Sequence, residues 1–220
     1  MRNKQRYLCK GCGLNFTNTP PRGKPLALKV AAVLLYVSGL SMNRTAQLLG
    51  VSTPTIQAWL EQFAQAYAQK PEPEARARRP GRGDRARRDV ALSEKKSEPL
   101  WVWKAWDRAS GQLVDWECGG RDKATCERLI ARLTRWRTRL YCADDYAVYD
   151  VLLPVGQLYA GKVETHGIER DNARQRHWLA RFRRRSIVVS KAKRMVDVSI
   201  ALFARFAGNN RIAGLISMLA

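Results

Sequence analysis

One stretch of this chain, residues 165–185, constrains the fold and the chemistry more than any other, because it combines a carboxylate with closely spaced arginines. On a helix at 100° per residue, Glu169 shares an arc with Asn172 and Arg176, at the edge of an apolar arc. The apolar arc carries Ile168, Trp178, Leu179 and Phe182, and the outward side carries Arg170, Arg174, Arg181, Arg184 and Arg185. The sequence therefore predicts a helix that holds a carboxylate beside the core and guanidinium groups in solvent, which suits a metal ion next to a polyphosphate backbone.

The balance of charges limits the partners of such a helix. The chain has 40 Lys and Arg against 19 Asp and Glu among 220 residues, a net charge of +21, and a sequence pI of about 10.5. A polyanion, nucleic acid before a membrane surface, is the expected partner. Hydrophobic residues make up 45% of the chain, enough for folded domains, and neither a membrane span nor a secretion signal is evident. The expected location is the cytoplasm, in association with the nucleoid.

The five cysteines do not suggest a disulfide framework, because they are odd in number and scattered. Residues 9–13, Cys-Lys-Gly-Cys-Gly, have the spacing of one knuckle of a zinc ribbon, so Cys9 and Cys12 are candidate Zn²⁺ ligands. A second CxxC is missing, and we expect it upstream of residue 1, with residues 1–19 as a partial ribbon. The zinc site is therefore incomplete. Small buried apolar positions are expected for Cys118, Cys126 and Cys142.

Residues 20–69 have the pattern of a helix-turn-helix. Apolar spacing predicts two helices between residues 25 and 49, and a third helix after them. Ala46 is a small residue where two helices would touch, Gly50 would turn the chain, and Ile56 would be a β-branched anchor beneath the third helix. This combination is typical of a DNA-binding unit.

The third helix of this unit is the expected recognition helix. Thr53 would be its N-cap, with proline at the first helical position. The major-groove side would carry Ser52, Thr53, Gln57 and Ala58, and phosphates would be approached by Arg22, Lys24 and Arg44. The alternative is an ordinary three-helix bundle without a ligand. If the DNA-binding interpretation is right, residues 20–69 bind duplex DNA without the remainder of the chain.

Residues 70–88 differ in composition from both of their neighbours, since they contain three prolines and many arginines but no apolar residue larger than alanine. They are expected to form a basic flexible linker between two modules that both contact DNA. Either its arginines are merely solvated, or they add sequence-independent phosphate contacts through Arg76, Arg78, Arg79, Arg82, Arg85, Arg87 and Arg88.

The pattern becomes α/β after the linker, over residues 89–220. Extended segments are expected at residues 89–92, 100–106 and 112–116, followed by a helix at 122–136, strands at 139–143 and 157–163, and the helix of Glu169. This order is that of the ribonuclease-H-like fold, in which carboxylates at two strand ends and on a late helix converge. A later amphipathic helix, Met195 to Phe206, would cover the sheet, and the alternative is that it forms a dimer contact. The fold class of the whole chain is therefore α+β.

Several motifs occur in the order in which a known family has them. In the catalytic half they are, in chain order, residues 101–108, 120–125 and 141–149, Lys162, residues 165–172, Arg183 to Arg185, and Ser190-Lys191. In the amino-terminal half they are residues 9–16 and 46–59. Together these motifs resemble the bacterial DDE transposases of the first-named insertion-sequence family. The resemblance covers most of the chain and depends on the series, since no single motif is specific.

The resemblance implies a triad of metal-binding acids. Asp144 matches the second acid, Glu169 the third, and Arg176 a basic residue two helical turns further on. Asp89 matches the first acid, although its strand reads Asp-Val-Ala-Leu-Ser without the family's aromatic residue and is about two residues short before Trp101. The chemistry needs such acids on general grounds, because two Mg²⁺ ions about 4 Å apart, held by oxygen ligands, can clamp an in-line displacement at phosphorus.

The implied function is that of a DNA transposase. It would bind the terminal inverted repeats of its element as a homo-oligomer on duplex DNA, cleave there with Mg²⁺ and join the ends to target DNA. One alternative is a transposase-derived protein that keeps sequence-specific DNA binding without cleavage. Another is a nuclease of the same fold that only hydrolyses DNA. A membrane partner is not expected.

Overall fold

The structure of the protein is a computed structural model. It describes residues 5–17, 23–72, 89–97, 100–144, 146–161, 165–182, 192–206 and 212–217, and for residues 89–97 the backbone alone. Several predicted DNA contacts lie outside the described residues, namely Arg22, the linker arginines, and Arg183, Arg184 and Arg185. Within the described ranges no helix combines the length and the apolar character that a bilayer span requires.

A small hairpin comes first, formed by β1 (Arg6–Leu8) and β2 (Asn15–Thr17). Three helices follow, α1 (Leu26–Val37), α2 (Met42–Leu49) and α3 (Thr53–Tyr67). Ala46 and Ile56 are buried, and Gly50 ends α2 with a φ of 62°, which favours glycine. The three residues thus have the positions that the helix-turn-helix pattern predicts.

The cap of α3 differs from the expectation by one residue. The Ser52 hydroxyl accepts a hydrogen bond from the backbone N–H of Thr55 at 3.3 Å, so Ser52 is the N-cap and the prediction of Thr53 is wrong. The Thr53 hydroxyl instead donates to the side-chain oxygen of Asn43 at 3.1 Å, which ties α3 to α2. The sequence offers two adjacent hydroxyl residues before the proline, and tertiary contacts decide between them.

One mixed sheet forms the centre of the remaining chain. Its strands are β3 (Asp89–Ser97), β4 (Leu100–Asp107), β5 (Gln112–Gly119), β6 (Leu140–Ala143) and β7 (Leu158–Ala160). Their spatial order is β5-β4-β3-β6-β7, with β3, β4 and β5 antiparallel in turn, and β6 and β7 parallel to β3. Because β5, β3, β6 and β7 run in the same direction, their carboxyl ends lie at the same end of the sheet. This is the strand order expected of the ribonuclease-H-like fold.

Helices cover both faces of the sheet. They are α4 (Lys123–Leu133), α5 (Val148–Leu152), α6 (His166–Trp178), α7 (Lys193–Phe206) and the short α8 (Ile212–Ile216). Alternate residues of β4 point to opposite faces, so Trp103 packs in the core under α4, whereas Val102 packs in the core under α7. The helix expected over residues 165–185 ends at Trp178 and continues as a 3-10 turn, Ala180–Phe182.

Helix α7 joins the helix-turn-helix and one face of the sheet in a single core. It packs against β5 on one side and against α1 and α3 on the other. The hydroxyl groups of Tyr36 in α1 and Ser199 in α7 lie 2.6 Å apart in a buried hydrogen bond. The Trp116 indole N–H of β5 donates to Asp197 of α7 at 2.6 Å. The expectation that this helix covers the sheet is therefore met, and the same helix also receives the helix-turn-helix.

The first residue of the expected linker is part of this packing. The Lys70 ammonium group donates to the buried carboxylate of Asp115 at 2.7 Å and lies 4.6 Å from the centre of the Trp116 ring. The side chains of Arg194 and Glu61 form a further ion pair between α7 and α3. The chain is therefore anchored to the sheet before the basic stretch begins.

Replacing Tyr36 by Ala tests the shared core. Tyr36 is 2% exposed, so its loss should lower the free energy of unfolding by about 3–5 kcal/mol, as for other buried aromatic residues. Urea unfolding should remain a single transition when it is followed by helical circular dichroism and by tryptophan fluorescence. The matched control is Tyr67→Ala at a residue that is 43% exposed, which should cost much less. Two separate transitions in the wild-type protein would contradict a shared core.

Candidate active site

A buried ion pair fastens α6 to the sheet. The Lys104 ammonium group of β4 donates to the Asp171 carboxylate at 2.6 Å and to the side-chain oxygen of Asn172 at 2.9 Å. The Gln175 amide donates to the same carboxylate at 2.8 Å. The side chains of Lys104 and Asp171 are only 1% and 7% exposed. Burial lowers the pKa of Lys104, and the charge of Asp171 opposes that effect.

The helical pattern of the sequence does not predict this cluster, because it places apolar residues on the buried side of the helix. Trp178, expected in the core, is 44% exposed. Asn172 is buried against Lys104, whereas Glu169 is exposed instead of lying at the edge of a core. The available signal was a lysine within the apolar strand at residues 101–106, since a buried ammonium group requires a partner of opposite charge.

Gly167 allows the start of α6 to approach the sheet closely. A Cβ atom at this position would lie 2.4 Å from the indole nitrogen of Trp106 in β4, closer than any side chain tolerates. The absence of a side chain therefore lets the first turn of α6 pack directly on an aromatic ring. The position needs glycine for space and not for backbone conformation.

Strand register relates α6 to the end of β6. Lys104 pairs with Ser93 of β3, and Leu92 pairs with Ala143 of β6. One further residue along the parallel pair brings Asp144 level with Ser93. Lys104, which binds α6, is therefore level with Asp144. Two strand spacings, or roughly 10 Å, separate β4 from β6 at this level.

The end of β6 and the first turn of α6 lie near the same level of the sheet. Asp144 is half-buried and directly follows β6. Glu169 lies in the first turn of α6, between Gly167 and Asp171, which are two of the residues at which the helix touches β4. The backbone N–H of Gly161, directly after β7, donates to the Ala143 carbonyl at 3.0 Å, so β7 ends beside the end of β6.

Asp89 is not brought to the same place. It pairs with Leu140 at the start of the parallel pair, four residues before Asp144 and so roughly 13 Å away along the strands. Asp107 pairs with Val90 at that opposite end, where its carboxylate accepts hydrogen bonds within the hairpin turn, from Ser110 among others. Asp107 therefore lies at the end of the sheet away from Asp144. The β3 register differs from what a triad with Asp89 requires.

The arginines of the α6 region divide into two groups. Arg170 is exposed, as the helical pattern predicts. Arg174 lies 5.9 Å from the ring of Phe203 in α7, and the Arg181 guanidinium donates to the Tyr36 hydroxyl at 3.4 Å. Two of the arginines expected in solvent thus pack against other helices, because α7 and α1 cover that side. Arg176 is half-buried, and Arg184 lies outside the described residues.

The predicted DNA-reading surface lies at the start of α3. Ser52 is exposed, and Thr53 and Gln57 are half-buried. The Gln57 amide donates to the Glu61 carboxylate at 3.1 Å, which holds it along the helix. Arg44 in α2 is exposed and donates to Gln47 at 3.3 Å. The docking of α1 and α3 on α7 therefore leaves this surface accessible.

Cys9 and Cys12 occupy the loop of the first hairpin. The backbone N–H groups of Cys12 and Gly11 hold the pKa of the Cys9 thiol below its ordinary value, with a further contribution from the Cys12 side chain. Such a thiol is prepared for metal binding. Among the described residues no three His, Cys, Asp or Glu side chains form a cluster that could hold a metal. The β3 side chains, from which a third acid would come, are not among them.

Comparison with known families agrees with this architecture. A family model described as IS1 transposase matches residues 88–207, more than half of the chain. The chain belongs to the IS1 transposase family. A second model, described as a homeodomain-like domain, matches residues 25–68, the region of α1, α2 and α3.

Curated relatives are insertion-element proteins. The chain is 29% identical over 108 residues to the insertion element iso-IS1n protein InsB of Shigella dysenteriae, covering 49% of this chain and 82% of the relative. It is 34% identical over 103 residues to the insertion element IS1 protein InsB of Shigella flexneri, covering 46% of this chain and 78% of the relative.

Among solved structures, the Mos1 strand transfer complex is similar over 92% of this chain and 78% of that chain, with 13% identity and a TM-score of 0.37.

Membership of the IS1 transposase family confirms the resemblance and makes the protein a DNA transposase, an enzyme of the polynucleotidyl transferase class. A transposase-derived protein that only binds DNA is not favoured by these matches. DDE transposases in general depend on divalent metal ions. Asp89, Asp144, Glu169 and Arg176 all lie inside the matched region.

Replacing Lys104 by Met tests the ion pair that holds α6. Removal of one partner leaves the Asp171 carboxylate buried without its cation, so the free energy of unfolding should fall by about 3–5 kcal/mol. The double variant Lys104→Met/Asp171→Leu should recover most of that loss. Urea unfolding measures both effects. Lys123→Met, at an exposed lysine, is the control and should change stability by less than about 0.5 kcal/mol. Equal losses in the single and double variants would contradict the assigned pair.

Proposed function

We propose that this IS1-family transposase binds the terminal inverted repeats of its element, cleaves a strand there and joins the freed 3′ end to target DNA. Asp144, Glu169 and a carboxylate of β3 would hold two Mg²⁺ ions. The observation that carries the proposal is that Asp144, after β6, lies at the same level of the sheet as Lys104, the residue that binds Asp171 of α6. Carboxylate oxygens are the ligands that Mg²⁺ prefers.

The chemistry consists of two displacements at phosphorus. In the first, a water oxygen bonds to phosphorus and the 3′ oxygen of the strand leaves. In the second, that 3′ hydroxyl group attacks a target phosphodiester, whose own 3′ oxygen leaves. Two divalent ions, when bound, supply charge stabilisation for the attacking and leaving oxygens.

The protein's own side chains would position the DNA for both steps. Arg176 is half-buried two turns after Glu169 and could donate to a nonbridging phosphate oxygen, since a guanidinium group forms strong charged hydrogen bonds to phosphate. Arg170 is exposed directly beside Glu169 and would contact the backbone of the same strand. The Lys104 and Asp171 pair acts on Glu169 indirectly, by fixing the helix that carries it.

The first acid of the proposed triad comes from β3. Asp89 matches the family pattern by sequence. Glu94, the other acidic residue of β3, pairs with Trp103, which packs under α4, so its position is on the face of the sheet opposite to Lys104 and α6. Asp89 could join the other acids only if β3 shifted along β6 from the register observed here. The two residues are therefore separable by mutation.

Replacing the acids one at a time tests the triad. Glu169→Gln and Asp144→Asn preserve volume but remove one negative ligand each, so cleavage of a duplex with the element's terminal repeat should fall by about 10²–10³-fold. DNA affinity should stay the same or rise, because arginines supply it. Asp89→Asn should also lose cleavage, and Glu94→Gln, which changes the other acidic residue of β3 on the α4 face, should retain it.

The control for these variants is Asp107→Asn, which removes a charge at the opposite end of the sheet. It should retain close to wild-type cleavage. If Glu169→Gln cleaves as well as the wild-type protein in Mg²⁺, the triad is wrong. If the wild-type protein binds the repeat but never cuts it, the binding-only alternative is correct instead.

The proposed interface for sequence recognition is the start of α3, with phosphate contacts from α2. Support comes from the accessibility of Ser52, Thr53 and Gln57 while the helices are docked on α7. Arg44 adds charge on the adjacent helix. The duplex would lie across these two helices, and the active-site end of the sheet would receive the cleaved strand. Binding of the two element ends by a homo-oligomer follows from the need to join both ends to one target.

Two substitutions separate sequence reading from charge in the full chain. Gln57→Ala should change the preference among duplexes of different sequence, because an amide side chain can read base edges. Arg44→Ala should weaken binding to all duplexes alike and reduce the slope of log affinity against log salt by roughly 1. Fluorescence anisotropy measures both. Gln65→Ala, on the same helix two turns after Gln57, is the control and should change neither quantity. No affinity for any duplex at low salt would overturn this part of the proposal.

We also propose that Cys9 and Cys12 form one half of a Zn²⁺ site. The lowered pKa of Cys9 supports it, since thiolates are the zinc ligands. Two further ligands are needed for a tetrahedral site. Zinc content of the purified protein, measured by mass spectrometry, should fall when Cys9→Ser is introduced. Cys126→Ser, at a buried cysteine, is the control.

A further inference from the structure

The loop between β5 and α4 lies at the same end of the sheet as Asp144. Strand β5 is not next to β6 but runs in the same direction, so the two strands end at the same end of the sheet. The last residue of β5, Gly119, pairs with Trp101 at the start of β4. Arg121 follows two residues later and is exposed. None of the proposed metal ligands or phosphate contacts lies in this loop.

Two aromatic rings orient the Arg121 side chain. Its guanidinium carbon lies 5.0 Å from the centre of the Trp101 ring and 4.8 Å from the centre of the Tyr146 ring. Tyr146 in turn lies two residues after Asp144, and its backbone N–H donates to the Asp144 carbonyl at 2.9 Å. A chain of direct contacts therefore links Arg121 to the position of the second acid.

The loop itself is held in one conformation. The Trp103 indole N–H donates to the Gly120 carbonyl at 3.0 Å, and the Tyr146 hydroxyl donates to the Arg121 carbonyl at 3.4 Å. A Cβ atom at Gly120 would lie 2.0 Å from the carboxylate of Asp122. That carboxylate caps α4 by accepting from the backbone N–H of Thr125 at 2.8 Å. Glycine at position 120 thus leaves room for the carboxylate that caps α4.

We propose that Arg121 is a positioning residue that binds a DNA backbone phosphate next to the scissile phosphate at Asp144. This inference rests on the proposed function of that site. A guanidinium group carries five N–H donors in one plane, and stacking on aromatic rings fixes the orientation of that plane before the phosphate arrives. Arg121 does not touch the reacting atoms. It fixes where the strand enters.

The competing explanation is that Arg121 only covers the rings of Trp101 and Tyr146. Arg121→Met keeps an unbranched stem over those rings and removes the charge. Arg121→Lys keeps the charge and removes the planar fork. The control is Arg135→Met at an exposed arginine in the 3-10 turn before β6, at the opposite end of the sheet, where the same charge is lost.

The experiment uses the full chain, Mg²⁺ and a duplex with the terminal repeat that flanks the gene. Arg121→Met should raise KM by roughly 10- to 100-fold, the range expected for one charged hydrogen bond, with a smaller change in kcat. Arg121→Lys should lie between this variant and wild type. Arg135→Met should behave as wild type. A purely covering role would leave KM unchanged in both Arg121 variants.

A second measurement identifies the phosphate. Equilibrium binding is compared on duplexes that each carry one neutral methylphosphonate near the cleavage position. A methylphosphonate at one position should weaken binding by the wild-type protein. The same methylphosphonate should cause no further loss of affinity in Arg121→Met, because that variant already lacks the guanidinium group that contacts this phosphate. Additive losses at every position would overturn the proposal. Binding does not require cleavage. A wild-type protein that never cuts would refute the proposed function, and the affinities for the methylphosphonate duplexes would still show whether Arg121 contacts a phosphate.

Discussion

The arrangement of this transposase depends on the buried ion pair between Lys104 and Asp171. The interior disfavours isolated charges, so each partner is tolerated only because the other lies 2.6 Å away. An apolar contact could slide by a turn of helix at modest cost, but a buried charge pair has only one register in which both charges are neutralised. The pair therefore fixes the position of α6 along β4, and with it the position of Glu169. Gly167 completes the arrangement by allowing contact with Trp106.

The second determinant is α7, which the sheet and the helix-turn-helix share. A three-helix unit of this size buries little apolar surface by itself, and here its α1 and α3 gain a partner face on α7. The proposed reading surface at Ser52 and Gln57 is not covered by α7. The helix-turn-helix and the sheet are thus held in a defined relation by packing, and the basic segment after residue 72 is not the only connection between them.

Local patterns predicted much of this fold. Glycine, proline and the small residue Ala46 located the helix-turn-helix, and alternation and turn residues located the strands in the correct order. The motifs around Asp144 and Glu169 identified the family. Three features were beyond reach for physical reasons. Helical periodicity counts apolar residues, so it misplaced the buried polar side of α6. Register depends on partners distant in sequence, so the position of Asp89 relative to Asp144 could not be derived. The contacts of Arg174 and Arg181 depend on α7 and α1, which the local pattern does not contain.

The sharing of α7 also bears on how such proteins can exchange parts. A chimera that takes its helix-turn-helix from one family member and its sheet from another must decide which parent supplies α7, although this helix lies far downstream in the sequence. Tyr36 and Ser199 illustrate the difficulty, because a hydrogen bond joins them across 163 positions of the chain. Substitutions on the two sides of α7 are thus expected to accumulate together. Recombination that swaps only the amino-terminal third would separate matched surfaces and produce a new DNA specificity only at the cost of a broken core.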